Sequence, residues 1–208
     1  MRTLAIETAS EACSIALFEG EASIAHDHRI LGRGHAEALV PMIAALPDKG
    51  RCQRILVSLG PGSFTGVRIG LATARALGFA WGAEVLGFPT LALIAAQALA
   101  ARPPGGGVTV CTNGGHGEWF VADFGSDGLP LGETASLTPE AARARPPAAL
   151  VAGNRAALLA EGTGAEALDL LPDAAAVILL DPGLLTPALA PIYGRGPDAT
   201  PMKVPGAA

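Results

Sequence analysis

The chain has 208 residues, half of them hydrophobic and 16% charged, with a formal net charge of −5. That length suits one large domain or two small lobes, and so apolar a chain can bury a substantial core. The acidic balance gives no support to a protein that grips nucleic acid unaided through a broad basic face, and glycine and proline, 27 and 17 residues, stay below the level of low-complexity disorder.

Residues 3–6, 13–18 and 22–25 form three short apolar runs separated by polar residues and a glycine. They predict strand, loop, strand, turn, strand near the start of a sheet. Over 35–46, Leu39, Met42, Ile43 and Leu46 recur at offsets of three and four, the pattern of an amphipathic helix, with Pro41 expected to kink it or delay its start. Residues 54–58 have strand length and lead into Gly60-Pro61-Gly62-Ser63-Phe64-Thr65-Gly66. An Ala- and Leu-rich helix is expected from 67 to 81, with Ser63 or Thr65 as its N-cap. A strand at 83–87 and a helix at 91–101 follow. Residues 102–107, Arg-Pro-Pro-Gly-Gly-Gly, break regular structure and are the best linker. Beyond them, strands are expected at 108–112, 118–124, 148–152 and 176–180, helices at 156–161 and 165–171, and an irregular tail from Pro191. Alternating strands and helices indicate an α/β architecture, here divided into residues 1–103 and 107–208.

Several patterns carry chemistry, each with a plainer alternative. Gly60, Gly62 and Gly66 allow a tight turn into a helix whose first amides point outward. Gly62, Ser63, Thr65 and Gly66 would then hold an anion such as a phosphate, or simply make a tight turn. No Gly-Lys-Ser/Thr follows, so the loop is not a Walker loop. Glu7, Thr8 and Ser10 at the end of the first strand suit either a Mg²⁺-bound water and phosphate or an ordinary polar loop. Among the four histidines, His35 has Leu39 one turn on where a metal ligand would sit, and His26 and His28 alternate on a strand where no nearby acid or cysteine completes a ligand set, so no metal site is expected. The Ser63 segment is not a G-x-S-x-G elbow. Arg68 and Arg75 are two helical turns apart and flank the small residues Gly70, Ala72 and Ala74, which suits close approach of a partner or packing inside the chain's own domain. Cys13, Cys52 and Cys111 are odd in number, without metal-ligand spacing. They read as reduced core thiols, which favours the cytosol. Glu7 and Glu11 interrupt the apolar start and argue against a signal peptide, and the longest apolar stretch falls short of the ~18 residues that span a bilayer. A cytoplasmic protein is expected.

The segments MRTLAIETASEACSIALFEG, GHAEALVPMI and SLGPGSFTGVRIGLATARALGFA resemble the TsaB (YeaZ) family, most specifically in GPGSFTGVRIG. The likeness covers about residues 1–95 and returns weakly in Pro191-Ile192-Tyr193-Gly194-Arg195. It implies a two-lobed actin/Hsp70/sugar-kinase fold with a degraded second lobe. It also implies a non-catalytic subunit that binds a TsaD-like transferase and works with a TsaE-like ATPase. Together they would place threonylcarbamoyl on the tRNA adenosine 3′ of the anticodon, tRNA being held indirectly through the complex. Self-association as a homodimer through the first lobe is implied as well. On this reading the partner surface contains His35, Leu39, Met42, Ile43, Arg68, Gly70, Ala74 and Arg75. No cofactor is required, and ATP or ADP has a place at the partner interface. TsaD-type proteins carry a His-x-x-x-His metal pair on the helix matching the one at His35, and Leu39 breaks it. Where relatives carry an Asp-Ala-Arg-Met-like element, this chain has Asn113-Gly114-Gly115-His116, so the Asp and Arg are lost. Two enzymatic alternatives are weighed against this reading. One is a nucleotide-dependent phosphotransferase or ATPase using Glu7, Thr8 and the glycine loop, with Asp123 or Asp181 as the only obvious second acid. The other is a peptidase, as the family's older label suggests.

Overall fold

The computed structural model describes residues 1–102 and 105–194. Strands β1 (Arg2–Glu7) and β2 (Ala12–Glu19) are buried almost throughout, as strands covered on both faces must be. They form an antiparallel hairpin, and β3 (Ala22–Ile30) extends it as a largely exposed edge. On the other side of β1, β4 (Arg54–Ser58) and then β5 (Glu84–Phe88) add in parallel. Parallel neighbours need crossovers, and helices supply them. Helix α1 (His35–Ala45) lies between β3 and β4, and α2 (Phe64–Trp81) between β4 and β5. The sheet order is β3-β2-β1-β4-β5.

The second sheet repeats this plan in miniature. Its strands are β6 (Val108–Gly115), β7 (Glu118–Phe124), β8 (Ala135–Leu137), β9 (Leu150–Ala152) and β10 (Glu166–Leu168), in the order β10-β9-β6-β7-β8. The first strand again pairs antiparallel with the next on one side and parallel with a later strand on the other. Its helices, α4 (Pro139–Arg143) and α5 (Ala156–Ala160), have five residues each, and three of its strands have three. This is the expected α/β, two-lobed architecture with a shortened second lobe.

Helix α3 (Thr90–Ala100) joins the lobes. Eight of its eleven residues are buried, because it is apolar on every side, as a helix enclosed by protein must be. One hydrophobic cluster runs from Ala5, Phe18 and Phe88 of the first sheet through Leu91 and Ile94 to Val110, Phe120 and Phe124 of the second. A second cluster lies on the opposite face of the first sheet, under α1 and α2.

Some sequence expectations are corrected. Helix α1 is continuous from His35 to Ala45. Pro41 is exposed, and the carbonyl it leaves unpartnered, that of exposed Glu37 one turn earlier, is open to water. Residues 165–171 are not helical. Gly164 turns the chain at φ 81° and Glu166–Leu168 pair with β9 instead. Residues 176–180 are not a strand, because the Asp173 carboxylate accepts the Ala175 amide and winds Ala174–Leu179 into a 3-10 helix. Strand β8 and helix α4 were not anticipated. Of the expected linker, Pro103 and Pro104 lie outside the described residues, as does the tail from Arg195 onward.

Candidate functional site

The structure draws the loop after β1 tightly onto the glycine loop. The Ser63 amide donates to the Ala9 carbonyl at 2.6 Å, and the Thr8 hydroxyl donates to the Gly66 carbonyl at 2.8 Å. A Cβ on Gly62 would overlap the Ala9 carbonyl oxygen, one on Gly66 the Thr8 carbonyl oxygen, and one on Gly70 the Thr8 hydroxyl. These glycines let the start of α2 lie directly against the end of β1. Ser63 is the N-cap of α2, its hydroxyl accepting the Gly66 amide at 3.2 Å. Thr65 is exposed on the first turn.

Glu7 and Thr8 are not presented to any ligand. Both are buried. One Glu7 carboxylate oxygen accepts the Ala9 amide, while the other has no hydrogen-bond partner among the described residues. Burial pushes the carboxyl up to about 7, against the pull of the Ala9 amide and the Ser58 hydroxyl. The expected ligand role of Glu7, Thr8 and Gly66 is corrected accordingly: their polar atoms are turned into the lobe.

The predicted partner surface divides in the same way. Leu39, Met42 and Ile43 lie in the first lobe's core under the sheet, and Ala74 with them. His35 is buried with its Nε2 3.0 Å from the Ala12 carbonyl, and Gly70 packs on Thr8. None of these six is open to a partner, because an amphipathic helix turns its apolar stripe to its own core. Arg68 and Arg75 are on the exposed side of α2. The Arg68 guanidinium lies 3.6 Å over the Phe64 ring and donates to the Tyr193 hydroxyl at 3.1 Å, and Arg75 donates to the Leu189 carbonyl at 2.6 Å. The outward faces of these helices nonetheless expose a set of apolar residues: Ala36, Val40 and Ala44 on α1, and Ala72, Ala76 and Phe79 on α2, with Phe79 94% exposed.

Between the lobes lies a cleft of about 480 Å³. Its first-lobe wall is the β1–β2 loop and the segment Pro61–Phe64, and its second-lobe wall includes the β6–β7 hairpin with Asn113 and His116, and Phe120. Glu11 of the first lobe and Asn154 of the second meet across it. The Asn154 amide nitrogen donates to the Glu11 carboxylate at 2.8 Å, and the Asn154 oxygen accepts the Asn113 backbone amide at 2.9 Å. No Lys or Arg is among the described residues that line it. The sequence reading missed Glu11 and Asn154 as a pair, since 143 positions separate them. Gly153, at φ 112° just before Asn154, was the available signal of a constrained turn. Among the described residues, no group of three or more His, Cys, Asp or Glu could hold a metal ion, and no helix is long and apolar enough to cross a membrane.

The family model for TsaD, tRNA N6-adenosine threonylcarbamoyltransferase, matches residues 27–161, from within β3 past the end of α5. The tRNA threonylcarbamoyladenosine biosynthesis protein TsaB of Escherichia coli is 37% identical over 151 residues, covering 67% of this chain and 64% of that protein. The chain belongs to the TsaB (YeaZ) family. An uncharacterised protein of Mycobacterium tuberculosis is 32% identical across 97% of the chain and 95% of its own length. The solved structure of YeaZ from Pseudomonas aeruginosa superposes with a TM-score of 0.70 at 29% identity, covering 85% of this chain and 88% of that one. Against the Escherichia coli TsaB the chain thus spans a little under two thirds of the relative's length, whereas the mycobacterial and YeaZ likenesses run through both lobes. In this TsaB-family chain, the region matched by the TsaD model includes the glycine loop, the β6–β7 hairpin and Asn154, and leaves out Glu7 and Tyr193.

Proposed function

We propose that this chain is an accessory subunit of tRNA threonylcarbamoyladenosine synthesis, which binds a TsaD-like transferase and activates it without performing the transfer itself. The observation that carries the reading is the contrast between the two sides of α1 and α2. The residue types that would serve chemistry at the end of β1 are consumed in packing the glycine loop, while the outward faces of both helices present Val40, Ala44, Ala72, Ala76 and Phe79 to solvent. Small residues around exposed aliphatic and aromatic anchors suit helix-against-helix docking. The transferase is taken as the occupant because the family model that matches this chain is that of a transferase of the same fold type, and two copies of one fold pack like faces readily. The same face would serve a homodimer. A TsaE-like ATPase and tRNA would join through the complex, and a nucleotide, if one takes part, would sit at the subunit boundary.

Phe79→Asp on the solvent side of α2 is expected to weaken binding to the TsaD-like partner at least about tenfold, the loss of one buried aromatic anchor, with the urea midpoint of the isolated chain nearly unchanged. Titration by isothermal calorimetry reads the first and denaturation the second. Undiminished binding by Phe79→Asp and by Val40→Asp would remove this face from the proposal.

A further inference from the structure

The segment from Thr186 to Gly194 leaves the second half of the chain and returns across the first lobe. It is tied at both ends. Thr186 exchanges two backbone hydrogen bonds with Gly87 at the edge of β5, and the Ile192 amide donates to the Leu59 carbonyl at 2.7 Å. Between these ties it lies along α2. Arg75 holds Leu189 and Arg68 holds Tyr193, so the segment runs antiparallel to the helix. Seven helical residues advance about 10.5 Å and four extended residues about 13 Å, so the spacing of the arginines matches the spacing of their two acceptors. They are also the only charged residues of α2. Phe64 completes the clasp, its ring 5.9 Å from that of Tyr193 and beneath the Arg68 guanidinium.

Beyond this clasp the same segment becomes a wall of the interlobe cleft, through Pro191, Ile192, Tyr193 and Gly194. Gly194 packs directly on the Phe120 ring of the second lobe, where a Cβ would clash. We propose that residues 186–194 form an intramolecular strap that gates the interlobe cleft, with Arg75 and Arg68 as the clasp that keeps it shut. The clasp is made of solvent-exposed hydrogen bonds, which are individually weak. Opening the strap breaks this clasp and the Ile192 tie to Leu59, leaves the Thr186–Gly87 tie as its hinge, and requires neither lobe to unfold. This gate does not depend on the partner reading above.

Tyr193 is the only tyrosine of the chain, so fluorotyrosine incorporation gives one ¹⁹F resonance that reports the strap. The three native cysteines are buried, so Ser10→Cys, on the opposite cleft wall, gives one reactive thiol that reports access. Arg75→Ala breaks the clasp at Leu189, away from both probes. The strap predicts that Arg75→Ala moves the Tyr193 resonance toward its unfolded position and speeds maleimide labelling of Ser10→Cys at least about threefold, with Arg75→Lys restoring both in part. An unmoved resonance means that residues 186–194 do not act as one strap. A moved resonance with unchanged labelling means that the strap does not gate the cleft. Either result overturns the proposal.

Discussion

Glu7 brings a carboxyl group into the first lobe where one of its oxygens has no partner among the described residues. Its titration near 7, rather than at its ordinary value of 4.5, makes the folded state prefer the protonated form. A folded acid raised in this way contributes its full stability below about 4.5 and loses it as the pH climbs to about 7. The loss is on the order of 3 kcal/mol, and stability is flat with respect to this group above that range. Glu7→Gln is expected to remove that slope. Urea denaturation of wild type and variant at pH 5 and pH 8 checks it: the variant gains on the wild type as pH rises, and parallel curves would contradict the assignment. Cys13 and Cys111 are pushed up to about 11 and about 12, chiefly by burial, so neither is a thiolate at neutral pH. The glycines of the loop give a second prediction at this scale. Gly66→Ala sets a methyl group against the Thr8 carbonyl, where only backbone movement relieves the clash. It is expected to cost about 3 kcal/mol or more, while Gly132→Ala, with open space around it, stays within about 0.5 kcal/mol. Thermal unfolding of the two variants decides this.

At the scale of elements, the glycine loop was legible and its purpose was not. The sequence Gly60-Pro61-Gly62-Ser63 announces a strand-to-helix turn, and Ser63 caps the helix as expected. What the glycines approach is the backbone of Thr8 and Ala9, more than fifty positions away, and local pattern carries no sign of it. Likewise the periodicity of α1 marks Leu39, Met42 and Ile43 as one face, but the same stripe suits a core or a partner equally. The structure gives that stripe to the core and leaves Val40 and Phe79 outside. The docking proposed for this face is largely salt-insensitive, because screening acts on charges and those the face carries are few: Glu37 on α1, and Arg68 and Arg75 on α2, which already donate to Tyr193 and Leu189. Complex formation with the transferase measured between about 50 mM and 500 mM salt should therefore change less than about threefold, and a steep loss of affinity would point to a charged interface elsewhere. The short elements of the second lobe were least legible. Three-residue strands and five-residue helices hold too little periodicity to read, and the short strands form because tertiary pairing selects them, β8 with β7, β9 with β6 and β10 with β9.

Over the whole molecule, the two lobes follow one strand order in two sizes, and the apolar helix α3 runs through the core between them. The first lobe keeps the long helices whose outer faces are proposed for docking. The second is reduced to a small sheet that closes the cleft through Asn154 and Phe120. That division of labour fits the accessory role proposed above. Threonylcarbamoyladenosine formation in a mixture of TsaD-like transferase, TsaE-like ATPase, tRNA, ATP and pre-made threonylcarbamoyl-adenylate, with this chain present or omitted, tests that claim most directly. Product that forms only with the chain present, and falls when Phe79→Asp replaces it, is the predicted result. Equal product with and without the chain would contradict the accessory role and bring forward a nucleotide-dependent activity of the chain's own.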